Sequence, residues 1–112
     1  MMRELAKYSL TTLHGCGDNI RNTAVCPWAS VCPHRRFDVL SYARNTAEWI
    51  GSCRDLDNLP RKYKVSYSGC SGSCGQPLVN CVGIVGIVRK RPDGGEETGF
   101  RVSIGGGMGW RP

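Results

Sequence analysis

The chain has 112 residues, the length of one domain with one modest core, and a chain of this size buries about two thirds of the surface that it exposes when unfolded. Fifteen Lys and Arg against nine Asp and Glu leave a net charge of +6 and a pI near 9.1, which favours an anionic partner. The basic residues are dispersed and form no nucleic-acid-binding module or basic helix, so the expected partner is a small or cofactor-sized polyanion rather than nucleic acid.

No apolar run approaches the ~20 residues needed to span a bilayer. Met1-Met2-Arg3-Glu4-Leu5 lacks the apolar centre of a signal peptide. The expectation is a cytoplasmic protein with no membrane partner. Seven cysteines in such a chain argue for metal binding or catalysis, because a reducing compartment keeps thiols free.

The first eight residues read as the tail of a helix. Residues 10–15 read as a short extended segment that leads into a loop rich in Gly, Asp and Asn, where the first cysteine pair lies. Over residues 35–50, Val39, Ala43, Ala47 and Ile50 recur at helical spacing, Phe37 and Leu40 widen the stripe, and Gly51 stands where a C-terminal cap belongs. Residues 57–60 break the pattern. Residues 62–68 alternate, with Tyr63, Val65 and Tyr67 on one face and Lys62, Lys64, Ser66 and Ser68 on the other, as in a half-buried strand. The apolar run 82–88 suits a central strand covered on both faces, and its glycines suggest close backbone approach. Pro92-Asp93-Gly94-Gly95 signals a turn, after which Phe100, Val102 and Ile104 alternate with Arg101 and Ser103 in a third strand. The fold class expected is α/β (α+β): one domain over residues 1–112, a mixed sheet with flanking helices.

Four cysteines form two pairs, Cys26 with Cys32 and Cys70 with Cys74. A C-x5-C pair joined to a C-x3-C pair fits zinc knuckles poorly, and the C-x-x-C of thioredoxin-like redox chemistry is absent. Four thiolates at these spacings suit a [4Fe-4S] cluster, which is wider than a single ion. Gly69, Gly72 and Gly75 would let the backbone fold closely over it and aim N–H groups at its sulfurs. Cys53 and Cys81, at a helix end and an apolar strand, read as buried thiols acting as small hydrophobes. Cys16 lies close enough to the loop to stand in as a ligand.

The same cysteine pattern resembles that of the siroheme and [4Fe-4S] sulfite and nitrite reductases. Three further segments are similar to motifs of that family: Gly17-Asp18-Asn19-Ile20-Arg21-Asn22, Leu59-Pro60-Arg61-Lys62-Tyr63-Lys64 and Gly99-Phe100-Arg101-Val102-Ser103-Ile104-Gly105-Gly106-Gly107. Together the similarities cover residues 11–109.

The resemblance implies a [4Fe-4S] cluster on Cys26, Cys32, Cys70 and Cys74, with Cys74 also bridging to siroheme iron. It implies that Arg21, Lys62 and Lys64 hold the oxyanion substrate and the acidic macrocycle, with Asn19, Asn22 and Arg61 beside them and backbone contacts from Gly105, Gly106 and Gly107. Electrons would pass from the cluster through Cys74 for the multi-electron reduction of sulfite to sulfide or nitrite to ammonia. Complete family members have two related halves or two paired subunits with siroheme between them. The chain therefore resembles an excised domain or a truncated subunit, of the dissimilatory type or of an unduplicated ancestor-like protein, that needs a second half or subunit or a homo-oligomer. Which anion is reduced and which electron donor serves it stay open, as does an iron-sulfur electron-transfer or structural module that binds no siroheme. A zinc-binding or cluster-free nucleic-acid module is a third possibility. Arg89-Lys90-Arg91 reads as a solvated hairpin, and His14 and His34 carry no assigned role.

Overall fold

The computed structural model describes residues 1–108, and Gly109, the last residue of the resemblance, lies outside the described residues with the rest of the C-terminus. Its elements in chain order are α1 (Met2–Lys7), β1 (Ala24–Val25), α2 (Leu40–Ser52), a 3-10 turn (Arg54–Leu56), β2 (Val65–Ser68), a second 3-10 turn (Pro77–Val79), β3 (Val82–Lys90) and β4 (Glu96–Ile104). The four strands form one mixed sheet in the order β1-β2-β3-β4. β1 runs parallel to β2 and β2 parallel to β3, while β3 and β4 form an antiparallel hairpin over their whole lengths. The α/β reading with a mixed sheet holds.

The hairpin closes where the turn chemistry requires it. Gly94 takes a left-handed φ of 82°, the Arg91 N–H donates to the Gly95 carbonyl at 2.8 Å, and Asp93 Oδ1 accepts the Gly95 N–H at 2.9 Å. β3 is the central long strand. A Cβ on Gly83 would stand 2.1 Å from the Pro77 carbonyl oxygen, and one on Gly86 3.1 Å from the Phe37 ring, so both glycines admit close neighbours as their pattern implies.

The core lies between α2 and one face of the sheet. Val39, Ala43, Val65 and Tyr67 pack there with Cys26 and Ala29, and Phe37, Val82, Ile84 and Phe100 press against them. The Tyr67 hydroxyl meets Thr46 Oγ1 at 2.9 Å and ties β2 to α2. Phe37, Tyr42 and Phe100 meet edge to face with centroids 5.0 to 6.1 Å apart, the geometry that aromatic quadrupoles favour.

Several boundaries differ from the sequence reading. α2 begins at Leu40, where Asp38 Oδ1 accepts the Leu40 N–H at 2.9 Å. The preceding residues are held elsewhere, since the Arg36 N–H donates to the Gly69 carbonyl at 2.8 Å. Gly51 lies inside the helix, which stops at Ser52 because Cys53 turns to an extended conformation. Ala47 is exposed, so the buried stripe is narrower than its periodicity suggests. Residues 10–15 form no strand, and α1 has no buried residue. Strand β2 starts at Val65 and is buried on both faces rather than one, because Tyr67 meets α2 on one face and Ser68 meets the Gly75 loop on the other. Tyr63 makes only an isolated parallel bridge to Ile20.

Candidate functional site

The first cysteine pair sits on tight turns that follow β1. The Cys26 N–H donates to the Tyr67 carbonyl at 2.9 Å, and the Cys32 N–H to the Trp28 carbonyl at 2.8 Å. Ala29, between the two, is buried in the core and anchors the segment. The second pair lies in the loop that leaves β2. The Ser73 N–H donates to the Cys70 carbonyl at 3.3 Å, the Gln76 N–H to the Ser73 carbonyl at 2.8 Å, and both Ser73 and Gln76 adopt left-handed conformations. Gly75 closes the loop against β2: its N–H donates to Ser68 Oγ at 3.0 Å, and a Cβ there would stand 2.3 Å from the Tyr67 carbonyl oxygen. That carbonyl also receives the Cys26 N–H, so one peptide of β2 sets both cysteine segments.

The four thiols are brought together. Cys26 raises the thiol pKa of Cys74 above its ordinary value, by charge and by a thiol hydrogen bond. Burial and the charges of Cys70 and Cys32 push it the same way. Cys32, Cys70 and Cys74 line a cavity of about 400 Å³ with Pro33, His34, Arg35, Arg36, Ser71 and Gly72. Among the described residues no three His, Cys, Asp or Glu side chains converge closely enough to hold a single metal ion. Four soft thiolate donors drawn from two segments match the ligand set of an iron-sulfur cluster. Within the set, Cys26 is buried, Cys32 and Cys70 are half-buried and Cys74 is exposed. Cys53 and Cys81 are half-buried rather than buried, and Cys16 is exposed. Cys53 caps α2 with its N–H, and the Cys81 carbonyl accepts the Gly105 N–H at 2.9 Å.

A second pocket, of about 270 Å³, is lined by His14, Gly15, Arg21, Asn22, Ala24, Lys64, Val65 and Asn80. It brings together Arg21, Asn22 and Lys64 from the expected anion-binding set, whereas Lys62 and Arg61, exposed like Lys64, lie outside it. Arg21 donates from Nη1 to the Gly15 carbonyl at 2.7 Å and from Nε to the Gly17 carbonyl at 3.1 Å. Asn19 is buried, and its Nδ2 donates to the Cys16 carbonyl at 3.2 Å. Its Oδ1 has no hydrogen-bond partner among the described residues.

In the glycine-rich segment the tight contact is with the chain itself. A Cβ on Gly106 would stand 2.3 Å from the Asn80 carbonyl oxygen and 2.4 Å from that of Leu78, and Gly105 has a φ of 81°, whereas Gly107 faces open space.

Residues 16–112 match the family described as the nitrite and sulphite reductase 4Fe-4S domain. The chain belongs to that family. It is 32% identical over 108 residues to the assimilatory ferredoxin-dependent nitrite reductase of Haloferax mediterranei, covering 96% of the chain and 18% of that protein. It is 31% identical over 90 residues to the ferredoxin–nitrite reductase of Synechococcus elongatus, covering 80% of the chain and 17% of the relative. The solved structure of the Mycobacterium tuberculosis NirA protein superimposes with a TM-score of 0.73 at 29% identity, over 96% of the chain and 18% of that protein. The chain thus spans less than a fifth of the length of these relatives and corresponds to their nitrite reductase-like 4Fe-4S domain. No helix among the described residues is long and apolar enough to cross a membrane.

The sequence reading passed over one part of this domain. His14, left without a role, is buried, and its Nε2 lies 3.0 Å from Asp57 Oδ1. The two residues are 43 positions apart, and neither belongs to a quoted motif, so no local signal links them.

Proposed function

We propose that Cys26, Cys32, Cys70 and Cys74 hold a [4Fe-4S] cluster and that the domain works beside a siroheme in the reduction of nitrite or sulfite. The observation that carries this reading is that four thiols from two separate segments come together, Cys32, Cys70 and Cys74 around one cavity and Cys26 against Cys74. When bound, the cluster supplies electrons one at a time, and siroheme supplies an iron at which the anion is reduced. Cys74, the only exposed thiol of the four, is the thiolate best placed to be shared with that iron. Cys26, the buried one, fixes the inner side of the site.

Arg21, Asn22 and Lys64 supply hydrogen-bond donors and positive charge in one pocket, the chemistry needed by the carboxylates of siroheme and by a small oxyanion. Arg21 holds its plane by donating to two carbonyls, so its remaining donors are already oriented. Lys64 adds a mobile ammonium. Nitrite is favoured over sulfite because the relatives are named as nitrite reductases. Those names also favour a ferredoxin as electron donor. Since the chain covers under a fifth of each relative, the complete reaction would draw on a second half or subunit.

Anaerobic reconstitution tests the cluster. About four irons per chain are expected, lost in Cys26→Ser, Cys32→Ser, Cys70→Ser and Cys74→Ser and retained in Cys16→Ser, Cys53→Ser and Cys81→Ser. Iron lost in Cys53→Ser and retained in Cys32→Ser would overturn the ligand assignment. A Soret-region absorption after addition of siroheme separates the reductase domain from an iron-sulfur module without siroheme.

A further inference from the structure

We propose that His14, paired with Asp57, is a positioning residue for the Arg21 guanidinium and thereby sets the affinity of the Arg21–Lys64 pocket for a small oxyanion. The inference rests on the reading of that pocket as an anion site.

His14 has a left-handed φ of 60°, which a non-glycine residue keeps only when its surroundings hold it there. Here the holding contact is visible. The ring is buried, and its Nε2 lies 3.0 Å from Asp57 Oδ1, while Arg54 Nη1 donates to the other carboxylate oxygen at 3.3 Å. The carboxylate responds to this contact: its pKa is lowered, and the His14 hydrogen bond is the first cause. Asp57 is itself anchored near the same loop, because the Leu59 N–H donates to the Asp18 carbonyl at 2.7 Å.

From His14 the chain closes a ring around Arg21. The His14 carbonyl accepts the Asn22 N–H at 3.2 Å. The next residue, Gly15, and then Gly17 offer their carbonyls to Arg21 Nη1 and Nε. A guanidinium has five N–H donors, so two are spent on these carbonyls and the other three stay free for an anion. Because both anchors are neutral carbonyls, neither compensates the positive charge. The orientation of those free donors depends on where the Gly15 and Gly17 carbonyls point, and that follows from the left-handed turn that the His14–Asp57 pair clamps. Release of the clamp lets His14 return to an ordinary conformation and turns both carbonyls away from the guanidinium. The benefit is pre-organisation: the anion meets donors already in place.

The test uses the full chain, isotope-labelled, with hydrogen exchange at the Arg21 Nε–H as the direct readout and exchange at β3 amides as the control for folding. His14→Ala and Asp57→Ala should each speed Arg21 Nε–H exchange about tenfold, the scale of one lost hydrogen bond, and leave β3 protected. His14→Gln should restore slow exchange, because a glutamine Nε2 can donate to Asp57 and Gln76 already shows a left-handed glutamine in this fold. Should His14→Ala fail to fold, the less buried end of the pair in Asp57→Ala carries the comparison. Unchanged Arg21 exchange in Asp57→Ala, with β3 protected, would overturn the proposal. A nitrite titration of the same samples reads the pocket separately. Binding weakened about tenfold in Asp57→Ala and recovered in His14→Gln supports the positioning role. Absence of nitrite binding in the parent chain would sink the anion-site reading, while the exchange rates still decide whether His14 holds Arg21.

Discussion

Gly75→Ala probes the contact that joins the two cysteine segments. An added Cβ would stand 2.3 Å from the Tyr67 carbonyl oxygen, 2.7 Å from Ser68 Oγ and 3.1 Å from the Tyr67 carbonyl carbon. Two of these are backbone atoms of a buried strand, so they cannot swing aside. Ordinary contact requires the loop to retreat by about 1 Å, which is an overpacking strain of roughly 1–3 kcal/mol. The Gly75 N–H to Ser68 Oγ bond, 3.0 Å long, is lost or stretched at a further cost of about 1 kcal/mol. The expected destabilisation is therefore about 2–4 kcal/mol. Because Cys74 is the preceding residue and Cys26 hangs from the same Tyr67 carbonyl, the displacement separates these two thiols. Iron incorporation should fall along with stability. Denaturant midpoints of the iron-free chain measure the first effect, and iron per chain after anaerobic reconstitution measures the second. Gly51→Ala serves as the internal control: it lies in α2 with nothing within 4 Å of the added Cβ and should stabilise by about 0.5–1 kcal/mol. Should Gly75→Ala unfold at the parent midpoint and take up full iron, the account of how β2 sets the cysteine loops is wrong.

Lys64→Ala should weaken nitrite or sulfite binding about tenfold to hundredfold, the scale of a charge-assisted contact. Lys62→Ala should change it far less, since only Lys64 lines the Arg21 pocket; equal losses in an anion titration would contradict this. The lowered Asp57 pKa stabilises the fold above the ordinary carboxylate value of 3.8, and that contribution disappears as pH falls through the lower folded-state value. Acid unfolding followed by circular dichroism should thus begin at higher pH in Asp57→Asn than in the parent. Val39→Ala, at a fully buried position between α2 and the sheet, should cost roughly 2–3 kcal/mol in denaturant unfolding, and a loss under 1 kcal/mol would mean that the core collapses around the vacancy.

Much of the fold could be read along the chain because its causes are local. The apolar run 82–88, the Pro92-Asp93-Gly94-Gly95 turn and the alternation that follows appear as the β3–β4 hairpin, since turn chemistry and period-two alternation act over a few residues. The stripe containing Ala43 and Ile50 appears as α2, with Val39 just before its first turn, for the same reason. The cysteine spacings and three motifs were sufficient to identify the family.

Other features depend on residues distant in sequence. The two-residue β1 exists only because β2 offers it a parallel edge. β2 is also buried on both faces, because α2 meets Tyr67 on one and the Gly75 loop meets Ser68 on the other, which alternation within 62–68 cannot show. Lys62 and Lys64 carry the same charge and share a motif, yet only Lys64, next to the start of β2 at Val65, lines the pocket with Arg21. His14 and Asp57 meet across 43 residues, and only the tertiary structure could pair them, since a buried imidazole finds its carboxylate through the folded loop, and no spacing in the sequence encodes that meeting.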